Sequence, residues 1–209
     1  LPDCVYCGLG DVSGHGPLAA LFACQVTGMF KILAQQNYSA CQIVHTINQH
    51  LLAAKKRQEG FANKHNLYAL LNVLKVDSAT IELCSAGNAV PPLFFRHKTR
   101  ELITLDQPST PTGLFDARHF HTYSEKLEFA ANDMLIMFTD GVTEAEMLRG
   151  GLVEYPRAQK QISDQIQRRT PIPDFLDSFL AWLIKTSEIK DDLSMVLLSR
   201  LDCSENSEA

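Results

Sequence analysis

The hydrophobic pattern predicts an α+β domain. Two observations carry this. Apolar residues recur at helical spacing in two pairs of segments, one pair near each end of the chain, and the stretch between them alternates as short strands joined by tight turns. A third feature points to chemistry. Carboxylates stand at the ends of apolar strand-like runs, at Asp11, at Asp140 and at Asp191 or Asp192.

Val5 to Leu9 reads as a strand leading into Gly10-Asp11-Val12-Ser13-Gly14-His15-Gly16-Pro17, a glycine-rich turn. Pro17 suits the first turn of a helix, whose free amides favour anions. That helix continues to Gln36 with Leu18, Leu21, Phe22, Val26, Met29, Phe30 and Leu33 at helical spacing. Ser39 is an N-cap candidate for a second helix carrying Ile43, Val44, Ile47, Leu51 and Leu52, with His45 and His50 as surface or packing residues and Lys55-Lys56-Arg57 in the last turn. Tyr68–Val76 and Thr80–Cys84 flank an Asp77-Ser78-Ala79 turn, and Leu93–Arg96 and Glu101–Leu105 make a second hairpin. Pro/Gly-marked loops run over 85–92 and 108–113. His119 to Phe129 alternates as an exposed strand with His119 and His121 on one face. Met134 to Phe138 is a buried-strand run ending in Thr139-Asp140-Gly141, and Val142 to Met147 reads as a helical turn. Two helices, 154–168 and 173–186, precede a last strand over 193–198, and the tail from Asp202 reads as disordered.

The chain has 209 residues, 45% of them hydrophobic, and a net charge of −5 with scattered basic residues. That balance argues against nucleic acid as a partner. No apolar run reads as membrane-spanning, so neither a membrane nor a signal sequence is expected and the cytoplasm is the expected compartment. The six cysteines lack paired spacing apart from Cys4 and Cys7, a pair open to zinc or redox chemistry but read as free thiols in a reducing compartment.

The opening turn admits other readings. A dinucleotide fingerprint would place its third glycine one residue earlier and would keep Asp11 out of the path of a pyrophosphate. A Walker loop would end in Gly-Lys-Ser/Thr. A tight turn with an exposed Asp is the bland alternative. Phe138-Thr139-Asp140-Gly141-Val142-Thr143 loosely resembles the haloacid-dehalogenase signature, but Phe138 stands where that chemistry needs a nucleophilic Asp. Three carboxylates at strand ends instead suit hard cations: all-oxygen donors select Mg²⁺, Mn²⁺ or Ca²⁺, and a metal pair activates water for phosphoryl hydrolysis without a side-chain nucleophile.

In order along the chain, Gly10-Asp11-Val12-Ser13-Gly14-His15-Gly16 with Ala19-Ala20, Ser85-Ala86-Gly87-Asn88 through Pro91-Pro92-Leu93, Thr112-Gly113-Leu114, Phe138-Thr139-Asp140-Gly141-Val142-Thr143-Glu144-Ala145 and Asp191-Asp192-Leu193-Ser194 resemble the motifs of the type 2C metal-dependent protein phosphatases, in their bacterial SpoIIE/RsbU branch. The resemblance covers Val5 to Leu201. It implies an α-β-β-α sandwich of two antiparallel sheets flanked by helices, spanning residues 1–201 as one phosphatase domain that lacks its first strand. It implies two Mn²⁺ or Mg²⁺ ions, with Asp11 bridging them, the Val12 carbonyl ligating one, and Asp140 and Asp191 completing the set. Asp11, Asp140 and Asp191 are thus the expected catalytic residues, and Asp192 is the less direct neighbour. The implied activity is hydrolysis of phosphoserine or phosphothreonine by a metal-bridging water. The implied substrate is an anti-sigma-factor antagonist of the STAS type. The implied partners are an upstream receiver or sensor domain in the same protein and a second copy as a homodimer.

Departures from the family pattern are specific. The acidic Gly-Gly-Asp-Tyr/Phe-Tyr-Asp strand that precedes the opening hairpin in the family is not in this chain, and Leu1-Pro2-Asp3 reads as the middle of that hairpin. Asn88 replaces a usual His, and Ser194 a usual Thr. His15, at a variable position, is a general-acid candidate. A catalytically silent adaptor that binds a signalling protein is the alternative to an active phosphatase. In either case the two helices after Gly16 are the expected signalling surface.

Overall fold

The computed structural model describes residues 4–58, 67–87 and 90–201. The chain folds as two compact units that interleave in sequence: residues up to 88 with Gln107–Phe129, and 89–106 with the chain from Ala130 onward. The expectations for Leu1-Pro2-Asp3, Asn88 and the tail from Asp202 lie outside the described residues.

The first unit is a four-stranded antiparallel sheet, order β1-β2-β3-β6, formed by β1 (Val5–Val12), β2 (Ala69–Val76), β3 (Thr80–Ala86) and β6 (Tyr123–Glu128). Two helices accompany it, α1 (Pro17–Gln35) and α2 (Ala40–Gln58). The β2–β3 hairpin turns where expected, because the Asp77 carboxylate accepts the Ala79 and Thr80 amides at 2.8 and 2.6 Å. These bonds hold that carboxyl below the usual aspartate range. On one sheet face Val73, Cys84 and Ala86 pack with Ile43, Val44, Ile47 and Leu51 of α2, all essentially inaccessible to solvent. The other face carries Leu74, Ile81 and Leu83, also fully buried.

The two helices differ in how they are held. Helix α2 buries a continuous stripe. Helix α1 buries only Ala19, Val26 and Leu33, and leaves Leu18 47%, Leu21 68% and Ile32 56% exposed. Between α1 and β1 lies an apolar cavity of about 220 Å³, lined by Gly8, Gly10, Val26, Phe30 and Leu71 among others. Two glycines on β1 supply no side chains to fill it. The expectation that no run is long and apolar enough to span a membrane is corrected here. The 19 residues of α1 reach a mean hydropathy of 1.5, since Gln25, Thr27 and its single charge, Lys31, interrupt it too little to lower the average. By length and composition alone α1 passes that test, as the core helix of a soluble protein also can.

The segment 107–129 returns to this unit as a long connection fastened to α2. Thr112 exchanges backbone hydrogen bonds with Ala69, and its hydroxyl donates to the Ala69 carbonyl at 2.7 Å. Asn48, buried within the apolar stripe of α2, accepts the Gly113 amide at 2.7 Å and donates to the Phe115 carbonyl at 3.1 Å. The Lys55 ammonium donates to the carbonyls of Leu67 and Gly113, each at 2.5 Å, and burial pushes its pKa below the usual lysine range.

The second unit is a four-stranded antiparallel sheet, order β10-β7-β4-β5, of β4 (Leu93–Arg96), β5 (Glu101–Thr104), β7 (Met134–Phe138) and β10 (Met195–Ser199). Helices α3 (Glu154–Gln167) and α4 (Ile172–Thr186) pack on it. Ile162, Phe175, Phe179 and Leu183 meet Phe95, Ile136 and Phe138 in one cluster. Phe94 and Leu135 are fully buried on the opposite face. A two-stranded pair, β8 (Glu146–Met147) with β9 (Ser187–Glu188), replaces the end of the helical turn expected over 142–147. Two-residue strands carry no periodicity of their own.

Two further expectations change. The strand expected over 119–129 begins only at Tyr123. His119 sits in a turn, where its Nδ1 lies 2.8 Å from the Asp116 carboxylate, so it shares no strand face with His121. Cys4 and Cys7 are three residues apart along extended chain, which sends them to opposite faces. Cys4 contacts Asn37 while burial raises the Cys7 thiol pKa, and both are free.

Because Asn48, itself buried, satisfies a buried amide and a partly buried carbonyl, Asn48→Ala is expected to destabilise the protein by about 2 kcal/mol. The readout is a lower urea midpoint with an unchanged slope. A loss below about 0.5 kcal/mol would show that the connection is held elsewhere.

Candidate functional site

The sequence-predicted residues fall into two groups, one in each unit. In the first unit β1 extends three residues beyond the expected Leu9, so Asp11 is the penultimate residue of a strand and not part of a turn. Its neighbours fix its height on the sheet. Asp11 stands opposite Leu70, and Val12 opposite Ala69, which itself bridges to Thr112. Strand register continues one step further through side chains: the Ser13 amide donates to the Tyr68 carbonyl at 3.0 Å and the Tyr68 amide to the Ser13 hydroxyl at 2.9 Å. Gly14 and Gly16 then take positive φ, and Pro17 opens α1 at its first turn. The Gly10 position has no room for a side chain, since a Cβ there would lie 2.6 Å from Leu71 Cδ2 and 3.1 Å from the Leu70 carbonyl oxygen. Asp11, Gly14, His15 and Gly16 are exposed to solvent.

In the second unit the chain brings Asp140 and Asp191 onto adjoining turns, although 50 residues separate them. β7 ends at Phe138, and the Thr139 amide donates to the Ser194 carbonyl at 3.0 Å while the Ser194 amide donates to the Thr139 hydroxyl at 3.0 Å. The Asp140 carbonyl accepts the Glu144 amide and the Thr143 hydroxyl, closing the turn after the strand. Gly141 then lies directly on the other segment. A Cβ at 141 would sit 2.3 Å from the Asp192 carbonyl oxygen and 3.4 Å from that of Asp191. Asp192 donates its amide to the Asp191 carboxylate at 2.8 Å. Asp140 is half-buried; Asp191 and Asp192 are exposed. Ser194 therefore acts here through its main-chain amide and carbonyl, a role open to any residue but proline.

Among the described residues no three His, Cys, Asp or Glu side chains gather closely enough to hold a metal ion. The polar groups on the two turns that meet in the second unit are aspartate carboxylates, hydroxyls and main-chain groups, with no thiol or imidazole among the contacts that join them. This is the donor chemistry of a hard cation. The residues present thus fit magnesium or manganese in kind.

Other residues fasten the loops within each unit, and sequence reasoning gave Asn48, Lys55 and Tyr155 no such role. Gly87, of the Ser85-Ala86-Gly87 segment, has φ +68 and stands so close to Pro111 that a Cβ would lie 2.8 Å from its Cα, so it is the contact point of the two Pro/Gly loops. Asn48 and Lys55 anchor Gly113 from α2, and Tyr155 stacks on Phe138 and donates to the Pro91 carbonyl at 3.1 Å. Burial pushes the Tyr155 pKa up to about 12. The available signal for Asn48 was a polar residue between Ile47 and Leu51 on a buried stripe.

The family model described as Stage II sporulation protein E (SpoIIE) matches residues 2–201. Phosphoserine phosphatase RsbU of Bacillus subtilis (strain 168) is 23% identical over 197 residues, which is 92% of this chain and 54% of RsbU. The chain therefore spans about half the length of that curated relative. Among solved structures, the SiaA-PP2C domain of Pseudomonas aeruginosa superposes with a TM-score of 0.72 at 19% identity, covering 95% of this chain and 80% of that one. The catalytic domain of the serine threonine protein phosphatase PstP, in complex with 2 manganese ions, superposes with a TM-score of 0.66 at 10% identity, covering 95% of this chain and 99% of that one. At these identities the likeness establishes the fold. The α-β-β-α class expected from the sequence is the PP2C-like architecture of these proteins.

The contact at Gly141 separates two glycine substitutions. Gly141→Ala forces the Asp191–Asp192 turn away and is expected to lower stability by about 2 kcal/mol or more. Gly28→Ala, in α1 with nothing within 4 Å of the new Cβ, is expected to raise it by up to about 1 kcal/mol. Thermal melts of the two variants check the pair. Equal melting temperatures would mean that the two turns do not touch.

Proposed function

The chain belongs to the SpoIIE family, and on that premise we propose that it is a metal-dependent serine/threonine protein phosphatase. The observation that carries this reading is the approach of Thr139-Asp140-Gly141 to Asp191-Asp192, which presents two carboxylates on adjoining turns. In the proposed ligand set Asp11, Asp140 and Asp191 provide carboxylates and Val12 its carbonyl, for Mn²⁺ or Mg²⁺; the manganese seen in PstP supports the choice of metal. When bound, a pair of such ions activates water and neutralises phosphate charge.

The chain's own contribution is positioning. Thr139 and Ser194 fix the β7 and β10 ends against each other, so that Asp140 and Asp191 are set by main-chain geometry. Gly141 allows the approach. Gly14 and Gly16 free the turn before α1, whose first-turn amides favour the anionic phosphoryl group. No Ser or Cys nucleophile is required, which suits a site whose reactive segments offer aspartates and glycines. His15, exposed on that turn, is the candidate proton donor to the leaving oxygen.

The proposed substrate is a phosphorylated protein, an anti-sigma-factor antagonist of the STAS type, in line with the relation to RsbU. An upstream receiver or sensor domain in the same protein, a homodimeric state and a cytoplasmic setting complete the proposal. Helix α1 is the proposed input surface, because it is loosely packed, exposes Leu18, Leu21 and Ile32, and follows directly on the Asp11 segment. Substitutions at Gln35 and Gln42, at the exposed ends of α1 and α2, should then alter activity or partner binding; if neither ever does, the input surface lies elsewhere.

Hydrolysis of a phosphoserine peptide with and without Mn²⁺ tests the activity. Turnover is expected only with metal, and Asp140→Asn is expected to lower it at least about 100-fold with the fold retained by circular dichroism. Absence of turnover together with absence of metal binding, on this chain and on an N-terminally extended one, would favour the silent adaptor.

A further inference from the structure

Five cysteines among the described residues are free thiols, and two of them meet. Cys41 lies in the first turn of α2 and Cys84 in β3, 43 residues apart, with their Sγ atoms 2.6 Å from each other. Cys84 is fully buried and can be reached from Cys41. Cys41 is half-buried, with part of its surface open to solvent. The surroundings are polar for a helix–sheet interface. Ser124 is the cross-strand partner of Cys84, and its hydroxyl and that of Thr122 hydrogen-bond the Cys41 sulfur. His45, one turn further along α2, hydrogen-bonds Thr122 at 3.2 Å. Glu82, two residues before Cys84, is the carboxylate that faces the pair.

We infer that Cys41 and Cys84 form a peroxide-oxidisable dithiol, a modification site whose product is a disulfide tying α2 to the sheet of the first unit. This inference rests on the geometry of that unit and is independent of the phosphatase reading. Hydrogen bonds from Cys84, Ser124 and Thr122 bring the Cys41 pKa down to about 7, so its thiolate is present at neutral pH, whereas the hydrogen bond to Cys41, and then burial, keep Cys84 protonated. The Cys41 thiolate attacks one peroxide oxygen. The O–O bond breaks, hydroxide leaves and takes up a proton to become water, and Cys41 becomes a sulfenic acid. Cys84 then attacks the sulfenic sulfur. The S–O bond breaks, and the hydroxyl departs as water with the Cys84 proton. The two thiols give up two electrons in all, and one peroxide is reduced to two waters.

The geometry also explains why the second step outruns competing reactions. The resolving thiol is already in contact with Cys41, and it is too buried to react with a second molecule. The loop that the bond closes carries Asn48 and Lys55, the two side chains that hold the Gly113 turn. Oxidation therefore acts on the helix that supports that turn, through the chain entropy of the unfolded state.

The test treats the protein with one equivalent of hydrogen peroxide, alkylates it after unfolding, and maps the cysteine peptides by mass spectrometry. The expected product is a Cys41–Cys84 peptide pair two hydrogens lighter than the reduced pair and split by dithiothreitol. The melting temperature should rise by at least about 4 °C on oxidation and fall back on reduction. Cys41→Ser, at the half-exposed position, should melt like the reduced wild type and lose both effects, while exposed Cys24 stays alkylatable throughout. Full alkylation of Cys41 and Cys84 after peroxide, a sulfinic acid at Cys41 without the cross-link, or oxidation confined to Cys24 would each overturn the inference.

Discussion

Everything proposed for the second unit depends on one main-chain contact, the seating of Gly141 against the Asp192 carbonyl. Two turns 50 residues apart in sequence meet there with no side chain between them, and the Thr139–Ser194 pair of hydrogen bonds holds them in register. Aspartates on flexible loops would repel and drift apart. In the proposed ligand set the main-chain contacts between the turns would carry the repulsion between Asp140 and Asp191. Such preorganisation lets ligand binding spend little on ordering the site.

The first unit shows the opposite balance. Helix α2 is bound to the sheet by a buried apolar stripe, and its Asn48 and Lys55 pin the returning connection at Gly113. Helix α1 has three buried residues, a cavity beneath it and an exposed apolar face. A firm helix next to a loose one, with the Asp11 strand feeding the loose one, is an arrangement in which local packing can shift at small cost while the sheet stays intact. The Cys41–Cys84 pair joins the firm helix to β3, where a covalent tie would add to an anchor that already exists.

Much of this was legible in the sequence, for physical reasons that differ by element. The β2–β3 and β4–β5 hairpins announced themselves because alternation and turn residues are local signals. The β7 run and its Asp140-Gly141 end were legible because a five-residue, wholly buried strand leaves little else for the residues to be. The extent of β1 was misread because Gly10 and Gly14 suggest a turn, whereas Gly10 is required by the close approach of Leu70 and Leu71 within the sheet. The β8–β9 pair has no periodicity to read. His119 was placed on a strand by alternation, which the Asp116 contact overrides. Asn48, Lys55 and Cys84 were invisible as actors because their partners come from segments 65, 58 and 43 residues away. The interleaving of the two units has the same cause: nothing local marks 107–129 as a return to the first sheet.

The most direct test of the central claim is a manganese titration of the wild type beside Asp11→Asn, Asp140→Asn and Asp191→Asn, followed by electron paramagnetic resonance of the free ion. The proposed ligand set predicts saturable binding in the wild type and at least about tenfold weaker binding in each variant, with melting temperatures of the metal-free proteins unchanged. Wild-type affinity in all three variants, or no saturable binding in the wild type, would contradict it.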